Sequence, residues 1–508
     1  MNRKFKLLTI GLAAGTLIAA CGSSQPGGTP GKTADANATL RFGETNAAAD
    51  TLDPQKSNQS YGADWWGPPY EALLFADRNH VLHPKLATLW SFSSDGMTLT
   101  LTLRSGVTFS DGTAFNAAAV KANIERGQTL SGSQVKTLLA PITSVVAVND
   151  TTVQLNLKTP NAAIATDLGG KAGYMISPAA FSRGDLNIKP DGTGPFVLDS
   201  YSPGVSATYS RNPHYWGTPS GVAKIQITTY TDTTAAVNAL TSGQIDLAHL
   251  FDNQAATVVR NAKQQVLSYP GLGVEWIGLN FGTKFSNPLV RQALAYASDR
   301  KSLTDFAGTG SPAYQWVVPS SPLFDKTLGN VYAYDPQKAK DLLSQAGYPN
   351  GFSFTLIHTD RPYTNQSAQV MQAQWAKAGF NVTIQVTDGA TILSKCYVQH
   401  VCDAISGIYT ESPELTRDVA DITSANGRRN MGGATAMPGI APFVAAALAP
   451  SNDRTAALEK LQSEFVKDIP MVCLRYDVSL YGARTNVLNV DVDPNASPVW
   501  GTITMAAS

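Results

Sequence analysis

The chain has 508 residues, of which 43% are hydrophobic and 15% charged, and its 38 basic residues balance 38 acidic ones. This length exceeds one ordinary hydrophobic core and predicts two or three domains. The even charge balance excludes the strongly basic surface typical of nucleic-acid-binding proteins, so no nucleic acid partner is expected.

Residues 1–20 have the pattern of a secretory signal peptide. Arg3, Lys4 and Lys6 precede an apolar run over 7–20, which is shorter than the about 20 residues that a membrane-spanning helix needs. The sequence Ile-Ala-Ala-Cys that ends at Cys21 resembles the lipobox of bacterial lipoproteins, which implies lipidation of Cys21. An ordinary signal peptide with a chance cysteine is the alternative. The protein is therefore expected to be exported and anchored to the outer face of the cell membrane, which is the periplasmic side where an outer membrane exists.

Residues 21–37 are rich in Gly, Ser and Pro and show no apolar periodicity. They are predicted to form a flexible tether, for which random-coil scaling gives a span of about 20–25 Å. The folded part should therefore remain close to the membrane.

The rest of the chain alternates strand and helix patterns. An alternating strand over 223–230 is followed by a helix that Thr231 or Asp232 caps and Gly243 ends, and "QIDLA" begins the next strand. The same order returns later, where Asp335 caps a helix that ends at Gly347. A third helix ends at Gly379. This order predicts open α/β sheets.

Three cysteines follow Cys21. Cys396 and Cys402 are six residues apart in "CYVQHVC", and in an oxidising compartment this spacing favours a disulfide between them. A metal pair is the lesser alternative, because thiolate metal sites usually have tighter spacing and more ligands. Cys473 is expected to be a buried thiol.

The sequence contains few motifs that are typical of enzyme active sites. Ser298 and Lys301 match the S-x-x-K pattern of penicillin-recognising enzymes, but the companion K-T-G is absent. These residues also end a helix that begins at Asn287 and Pro288. The histidines do not cluster as a ligand set, so no metal, no cofactor and no enzymatic activity are expected.

Seven stretches, in order along the chain, resemble the extracytoplasmic solute-binding proteins of ABC importers. The resemblance is to the oligopeptide-, dipeptide- and nickel-binding class, known as bacterial solute-binding protein family 5. The stretches are "TLDP" at 51–54, "LATLWSFSSDGMTLTLTLRSGVTFSDGTAFNAAAV" at 86–120, "GTGPFVL" at 192–198, "RNPHYWG" at 211–217, "ALTSGQIDLA" at 239–248, "LVRQALAYASDRKSL" at 289–303 and "YDPQKAKDLLSQAGYPNG" at 334–351.

The resemblance implies an α/β, periplasmic-binding-protein-like fold of two lobes joined by a hinge, with an extra inserted domain. It also implies that ligand binds in the cleft between the lobes. The expected boundaries are 38–60, 186–270 and 478–508 for lobe I, 61–185 for the inserted domain and 271–477 for lobe II.

The resemblance also indicates ligand-binding residues. Arg361 and Tyr363 lie in "HTDRPYTNQ", which is similar to the segment whose arginine holds the peptide carboxylate in dipeptide-binding relatives. An arginine suits that task because its planar fork can donate two hydrogen bonds to one carboxylate. A surface arginine ahead of a helix is the structural alternative.

The peptide's amino group is expected to contact an acid in "CDAISGIYTESPEL" at 402–415. Glu411 is the first candidate and Asp403 the second, with Tyr409 between them. Trp65 and Trp66 fall where relatives place aromatic residues near the ligand, and one of the two is expected to be a core residue.

These features predict a lipid-anchored monomer that captures a short peptide and delivers it to an ABC permease. The same fold could instead carry a nickel chelate, an opine, an oligosaccharide or heme. A sensor that presents ligand to a signalling partner is another alternative. A secreted serine hydrolase would require Ser298 and Lys301 to be exposed together in a pocket.

Overall fold

The computed structural model describes residues 33–45, 49–58, 62–79, 81–360, 362–410, 414–437, 439–451, 453–493 and 495–507. At positions 272, 362, 363 and 408–410 it describes the backbone alone. The signal peptide, Cys21 and most of the tether lie outside the described residues. Within them, no helix has both the length and the apolar character that crossing a membrane requires.

The strands are, in chain order, β1 Thr39–Glu44, β2 Leu74–Ala76, β3 Leu82–Pro84, β4 Ala87–Phe92, β5 Thr98–Leu103, β6 Ile142–Asn149, β7 Thr152–Leu157, β8 Phe196–Ser202, β9 Ser206–Arg211, β10 Lys224–Thr229, β11 Leu247–Leu250, β12 Gln265–Leu279, β13 Ser311–Pro312, β14 Phe352–Thr359, β15 Phe380–Thr387, β16 Ala404–Thr410, β17 Met471–Ala483, β18 Val487–Leu488 and β19 Thr504–Met505.

The α-helices are, in the same order, α1 Gly62–Trp66, α2 Ala117–Thr129, α3 Lys136–Leu139, α4 Ala163–Asp167, α5 Thr233–Thr241, α6 Asn253–Asn261, α7 Pro288–Tyr296, α8 Arg300–Ala307, α9 Pro336–Gln345, α10 Pro362–Lys377, α11 Gly389–Ile392, α12 Leu415–Thr423, α13 Ala441–Leu448 and α14 Arg454–Asp468. A π-helical turn, Leu393–Val398, follows α11.

One mixed sheet runs through both halves of the protein in the order β15-β14-β16-β12-β17-β11-β1-β10-β9-β8. We call the half that contains β8 to β11 and β1 lobe I, and the half that contains β14 to β16 lobe II. The long strands β12 and β17 pair with each other and belong to both halves, because β12 also pairs with β16 of lobe II and β17 also pairs with β11 of lobe I. The chain therefore crosses between the lobes on two adjacent antiparallel strands.

The pairing of β12 with β17 changes register at the crossing. Pro270 pairs with Val478 and Val274 pairs with Tyr476, so three residues of β12 oppose one residue of β17. Such a bulge bends a strand and interrupts its hydrogen bonds. At Gly271 a Cβ atom would lie 2.6 Å from the carbonyl oxygen of Asp477, so the close approach of the two backbones requires glycine there.

The antiparallel sheet β4-β5-β7-β6 forms a separate unit with its own hydrophobic core, which extends from Leu73 to Met175. We call residues 73–175 the insert. Residues Trp65, Trp66 and Tyr70 precede it in the chain but pack in the core of lobe I. Lobe II has two cores, one on each face of its sheet, because helices cover both faces.

The local signals of the sequence account for several helix ends. Asp232 caps α5 by accepting the backbone N–H of Ala235, and Asp335 caps α9 by accepting that of Lys338. Gly243 and Gly347 follow these helices with φ of 81° and 91°, a conformation in which glycine avoids the steric cost of a side chain. The predicted strand–helix–strand order is confirmed in both places.

Candidate functional site

The cleft side of lobe II is formed by the carboxyl ends of two parallel strands. Strands β14 and β16 pair in parallel, with Leu356 beside Ala404 and Ile357 beside Ile405. The last residues of β16, Tyr409 and Thr410, pair with Val274 and Gly273 of β12, directly beside the register break. The ends of β14 and β16 therefore meet at the crossing between the lobes, and ligands of open α/β sheets bind at such carboxyl edges.

The two principal predicted ligand residues come just after these strands in the sequence. Arg361 follows β14 and Glu411 follows β16, and both lie outside the described residues. Tyr363 is in the first turn of α10, and Tyr409 is in β16, each described by its backbone alone. Because β14 and β16 are adjacent, the backbone brings the two predicted segments to one edge of the sheet.

Asp403, the second acidic candidate, lies at the opposite end of β16. Its carboxylate accepts the backbone N–H of Thr355 at 2.9 Å and faces the ammonium group of Lys284 at 3.4 Å. The first six residues of β16 separate it from Thr410, a distance of roughly 20 Å at the usual rise per residue. The structure therefore does not bring Asp403 to the edge that Glu411 follows.

Both candidate tryptophans are buried in the core of lobe I. Trp65 is 0% and Trp66 is 3% exposed. The ring of Trp65 makes an edge contact with Tyr201, and the ring of Trp66 makes one with Tyr174. The expectation placed one of the two in the core, and the structure places both there.

The cysteines are bonded and buried as the sequence predicted. Cys396 and Cys402 are joined by a disulfide that ties the π-helical turn to the start of β16. Cys473 is a buried thiol in β17. Among the described residues, no group of three or more His, Cys, Asp or Glu side chains is arranged to hold a metal ion.

The geometry contradicts the hydrolase alternative. Ser298 is 1% exposed, donates to the carbonyl of Leu294 and accepts the indole N–H of Trp375. The side chain of Lys301 is 78% exposed and pairs with Asp305. A nucleophile and its base must share an accessible pocket within hydrogen-bond reach, and these two side chains do not.

A buried ion pair at the crossing was not found from the sequence. Glu275 of β12 and Arg475 of β17 are register partners, both are at most 4% exposed, and the Arg475 Nε donates to Glu275 at 3.1 Å. The Arg475 Nη1 also donates to Asp477, next to the bulge. The available signal was the charged residue Glu275 in the apolar stretch "GVEWIGL" and Arg475 in "VCLRYDV", because a charge in a buried strand needs a partner.

A second ion pair joins the insert to lobe II. Arg417 of α12 makes a two-pronged salt bridge to Asp167 of α4. The backbone N–H of Ala162 also donates to the carbonyl of Leu448 at 2.8 Å. Burial raises the pKa of Asp167 to about 7, although the Arg417 guanidinium opposes this shift.

Comparison with known proteins places this arrangement in a family. The family model of bacterial extracellular solute-binding proteins, family 5, matches residues 81–417. The chain belongs to this family. It is a substrate-binding protein of an ABC importer, and it is not an enzyme.

Among curated proteins, the glutathione-binding protein GsiB of Escherichia coli strain K12 is 34% identical over 349 residues, which are 66% of this chain and 67% of that protein. The corresponding protein of Salmonella typhi gives the same identity and coverage.

Solved structures share the fold at lower identity. The substrate-binding protein CtaP from Listeria monocytogenes matches 93% of this chain and 100% of its own with a TM-score of 0.82 and 20% identity. The periplasmic binding protein DppA from Helicobacter pylori, in complex with peptide STSA, matches 93% of this chain and 98% of its own with a TM-score of 0.76 and 23% identity. These likenesses confirm the two-lobed α/β fold.

Proposed function

We propose that this family member is a lipid-anchored receptor that captures a short peptide or a peptide-like solute between its lobes. The similarity to glutathione-binding proteins over two thirds of the chain carries the proposal. Glutathione is itself a short peptide with two carboxylates and one amino group. The cargo class that this supports is a small solute with free carboxylate and amine groups.

The proposed contacts follow from what short peptides share. Their side chains vary, whereas their termini are constant, so a receptor of broad range should place charged residues at the termini. Arg361 would donate to the terminal carboxylate and Glu411 would accept from the amine. Both residues follow strands that end at the crossing between the lobes. Terminal charges enclosed in a closed cleft require such partners, because an unpaired buried charge is costly.

Closure of the lobes would occur at the crossing strands. The bulge over 271–273 interrupts the ladder between β12 and β17, while the Glu275–Arg475 pair holds these strands together on the lobe II side. Ligand contacts made only in the closed form would shift the population toward it. Binding energy is then used for closure, after which the permease receives the loaded protein.

Calorimetry with one dipeptide as free acid and as amide, together with glutathione, tests the carboxylate contact. We expect Arg361→Ala to weaken binding of the free acid by roughly 100-fold or more and to affect binding of the amide much less, since the amide lacks the carboxylate charge that Arg361 would bind. Arg428→Ala is the matched control, because the Arg428 side chain is 64% exposed in the same lobe and pairs with Asp421. It should bind all three ligands as the natural protein does.

Equal losses for acid and amide would show that Arg361 does not contact the carboxylate. If none of the three ligands binds the natural protein, the cargo is not a peptide, and nickel chelates, opines, oligosaccharides and heme become the ligands to assay.

The proposed membrane anchor has its own test. After expression in a host that lipidates exported proteins, Cys21→Ser should partition into the aqueous phase, whereas the natural sequence should remain with membranes. Mass spectrometry of the natural protein should show the lipid on Cys21. Quantitative sedimentation of the variant with membranes would contradict anchoring through this residue.

A further inference from the structure

One cavity in the described part of the chain is lined by residues of the insert and lobe I and by none of lobe II. It has a volume of about 780 Å³ and separates the insert from lobe I. Its walls are aromatic and proline side chains, including Tyr215, Trp216, Trp500 and Pro68. This volume and this lining are typical of sites that hold a small organic molecule.

One wall of the cavity is held rigidly by a buried carboxylate. Glu71 is 4% exposed and accepts the indole N–H of Trp216 at 2.5 Å and the hydroxyl of Tyr215 at 2.6 Å. Lys85 of the insert faces the same carboxylate at 2.8 Å. Lys85 and Glu71 therefore neutralise each other, and both rings are fixed before any ligand arrives.

Arg104 contributes a cation that has no acidic partner among the described residues. Its guanidinium lies 4.2 Å from the centroid of the Trp216 ring, and its Nε donates to the carbonyl of Lys85. Among the described residues, no carboxylate lies within ion-pair distance of Arg104, and its two Nη atoms have no acceptor. A guanidinium that packs on an aromatic ring keeps its in-plane N–H groups available to a carboxylate.

Besides Glu71, the acidic residue Asp493 lines the cavity, and its carboxylate is turned toward its own loop. It accepts the backbone N–H groups of Asn495 and Ser497. Burial raises its pKa to about 6, so its negative charge is partly lost in mildly acidic solution.

We propose that this cavity is a second binding site that takes a small aromatic carboxylate. The carboxylate pairs with the Nη groups of Arg104, and the apolar body packs against the aromatic and proline walls. The site lies between two units that contain neither Arg361 nor Glu411, so we expect its occupancy to be independent of the solute that fills the cleft between the lobes.

Ligand-observed NMR with 3-phenylpropionate and its amide, 3-phenylpropanamide, tests the proposal. The carboxylate should bind the natural protein at least tenfold more tightly than the amide, and Arg104→Gln should abolish this difference. Arg78→Gln is the matched control, because Arg78 is an insert arginine that pairs with Asp491 and does not line the cavity. It should preserve the difference, as should Arg361→Ala.

A second variant, Gly501→Val, tests the cavity even if Arg104→Gln does not fold. At Gly501 on the cavity wall, a Cβ atom would meet Pro195 at an ordinary 3.6 Å, so Gly501→Val should be tolerated and should reduce the space. We expect it to weaken the binding of both probes while dipeptide binding is unchanged.

Equal affinity for the two probes, no binding of 3-phenylpropionate, or an unchanged preference in Arg104→Gln would overturn the proposal. Displacement of the bound probe by dipeptide would also overturn it, because the probe would then occupy the peptide cleft.

Discussion

The insert contacts lobe I and lobe II in different ways. Toward lobe I, Arg126 forms a 2.6 Å ion pair with Asp53, and the same guanidinium donates to Gln55. Toward lobe II, the contact rests on the Asp167–Arg417 pair and the Ala162–Leu448 hydrogen bond. The contact with lobe I is reinforced by the aromatic side chains that hydrogen-bond to Glu71, whereas the contact with lobe II rests on this ion pair and this backbone hydrogen bond.

This difference predicts which units of the protein move relative to each other. Several buried polar contacts tie the insert to lobe I, so these two units should move together. Lobe II is connected through two strands with a bulge between them, and opening the cleft would separate Arg417 from Asp167. The comparison predicts that mutations at the first contact affect folding, whereas mutations at the second affect closure.

The largest effect is expected from Arg126→Ala. It leaves the Asp53 carboxylate, 2% exposed, without its main partner, and breaking a buried pair in this way costs about 3–5 kcal/mol. Urea denaturation should show a lower free energy of unfolding. Arg78→Ala removes an exposed pair across the same boundary and should cost less than about 1 kcal/mol. Similar losses for the two variants would show that burial does not distinguish these pairs.

A smaller effect is expected from Arg417→Ala. The closed form loses the salt bridge to Asp167, so affinity for the cleft ligand should fall by about tenfold to 100-fold, and the unfolding free energy should change less than in Arg126→Ala. X-ray scattering at a fixed, subsaturating ligand concentration should give a larger radius of gyration than for the natural protein. The exposed-site variant Arg428→Ala should match the natural protein. If Arg417→Ala lost stability without losing affinity, the pair would not be a closure contact.

Over a single pH unit, the smallest effect is a dependence of closure on pH. Asp167 has a pKa of about 7 where it is buried against Arg417, and exposure on opening of the cleft should return the pKa toward its usual value near 4. Between pH 4 and pH 7, Asp167 is therefore protonated in the closed form and ionised in the open form. Closure and ligand affinity should therefore weaken as pH rises from about 4 to 7, by no more than about tenfold per pH unit for one proton.

Asp167→Asn should remove this component of the pH profile, because it cannot titrate. A radius of gyration measured across this pH range for both proteins provides the check. Identical profiles would assign the dependence to another group.

The sequence predicted features that a few neighbouring residues determine. Asp335 caps α9 and Gly347 ends the local turn because both act through backbone groups within one helical turn. The Cys396–Cys402 spacing likewise suggested a disulfide that the structure contains. The motif stretches indicated the family, and through it the two-lobed fold, which the comparisons confirm.

The candidate site was predictable in part. The positions of Arg361 and Glu411 after two strands came from resemblance, and their contacts with a ligand remain predictions. Asp403 shares a segment with Glu411, but a strand separates the two along the sheet. The sequence alone did not show that a strand runs from Asp403 toward Glu411. The position of each end of β16 in the sheet follows only from its pairing with β14 and β12.

The sequence by itself determined the α/β pattern, its helix caps and its family, since these depend on local backbone preferences and on short motifs in a fixed order along the chain. Only the tertiary structure decided which charges become partners. Arg417 and Asp167 are 250 residues apart, and Arg475 and Glu275 are 200 apart. Such pairs form because burial makes an isolated charge costly, and burial depends on how distant segments pack.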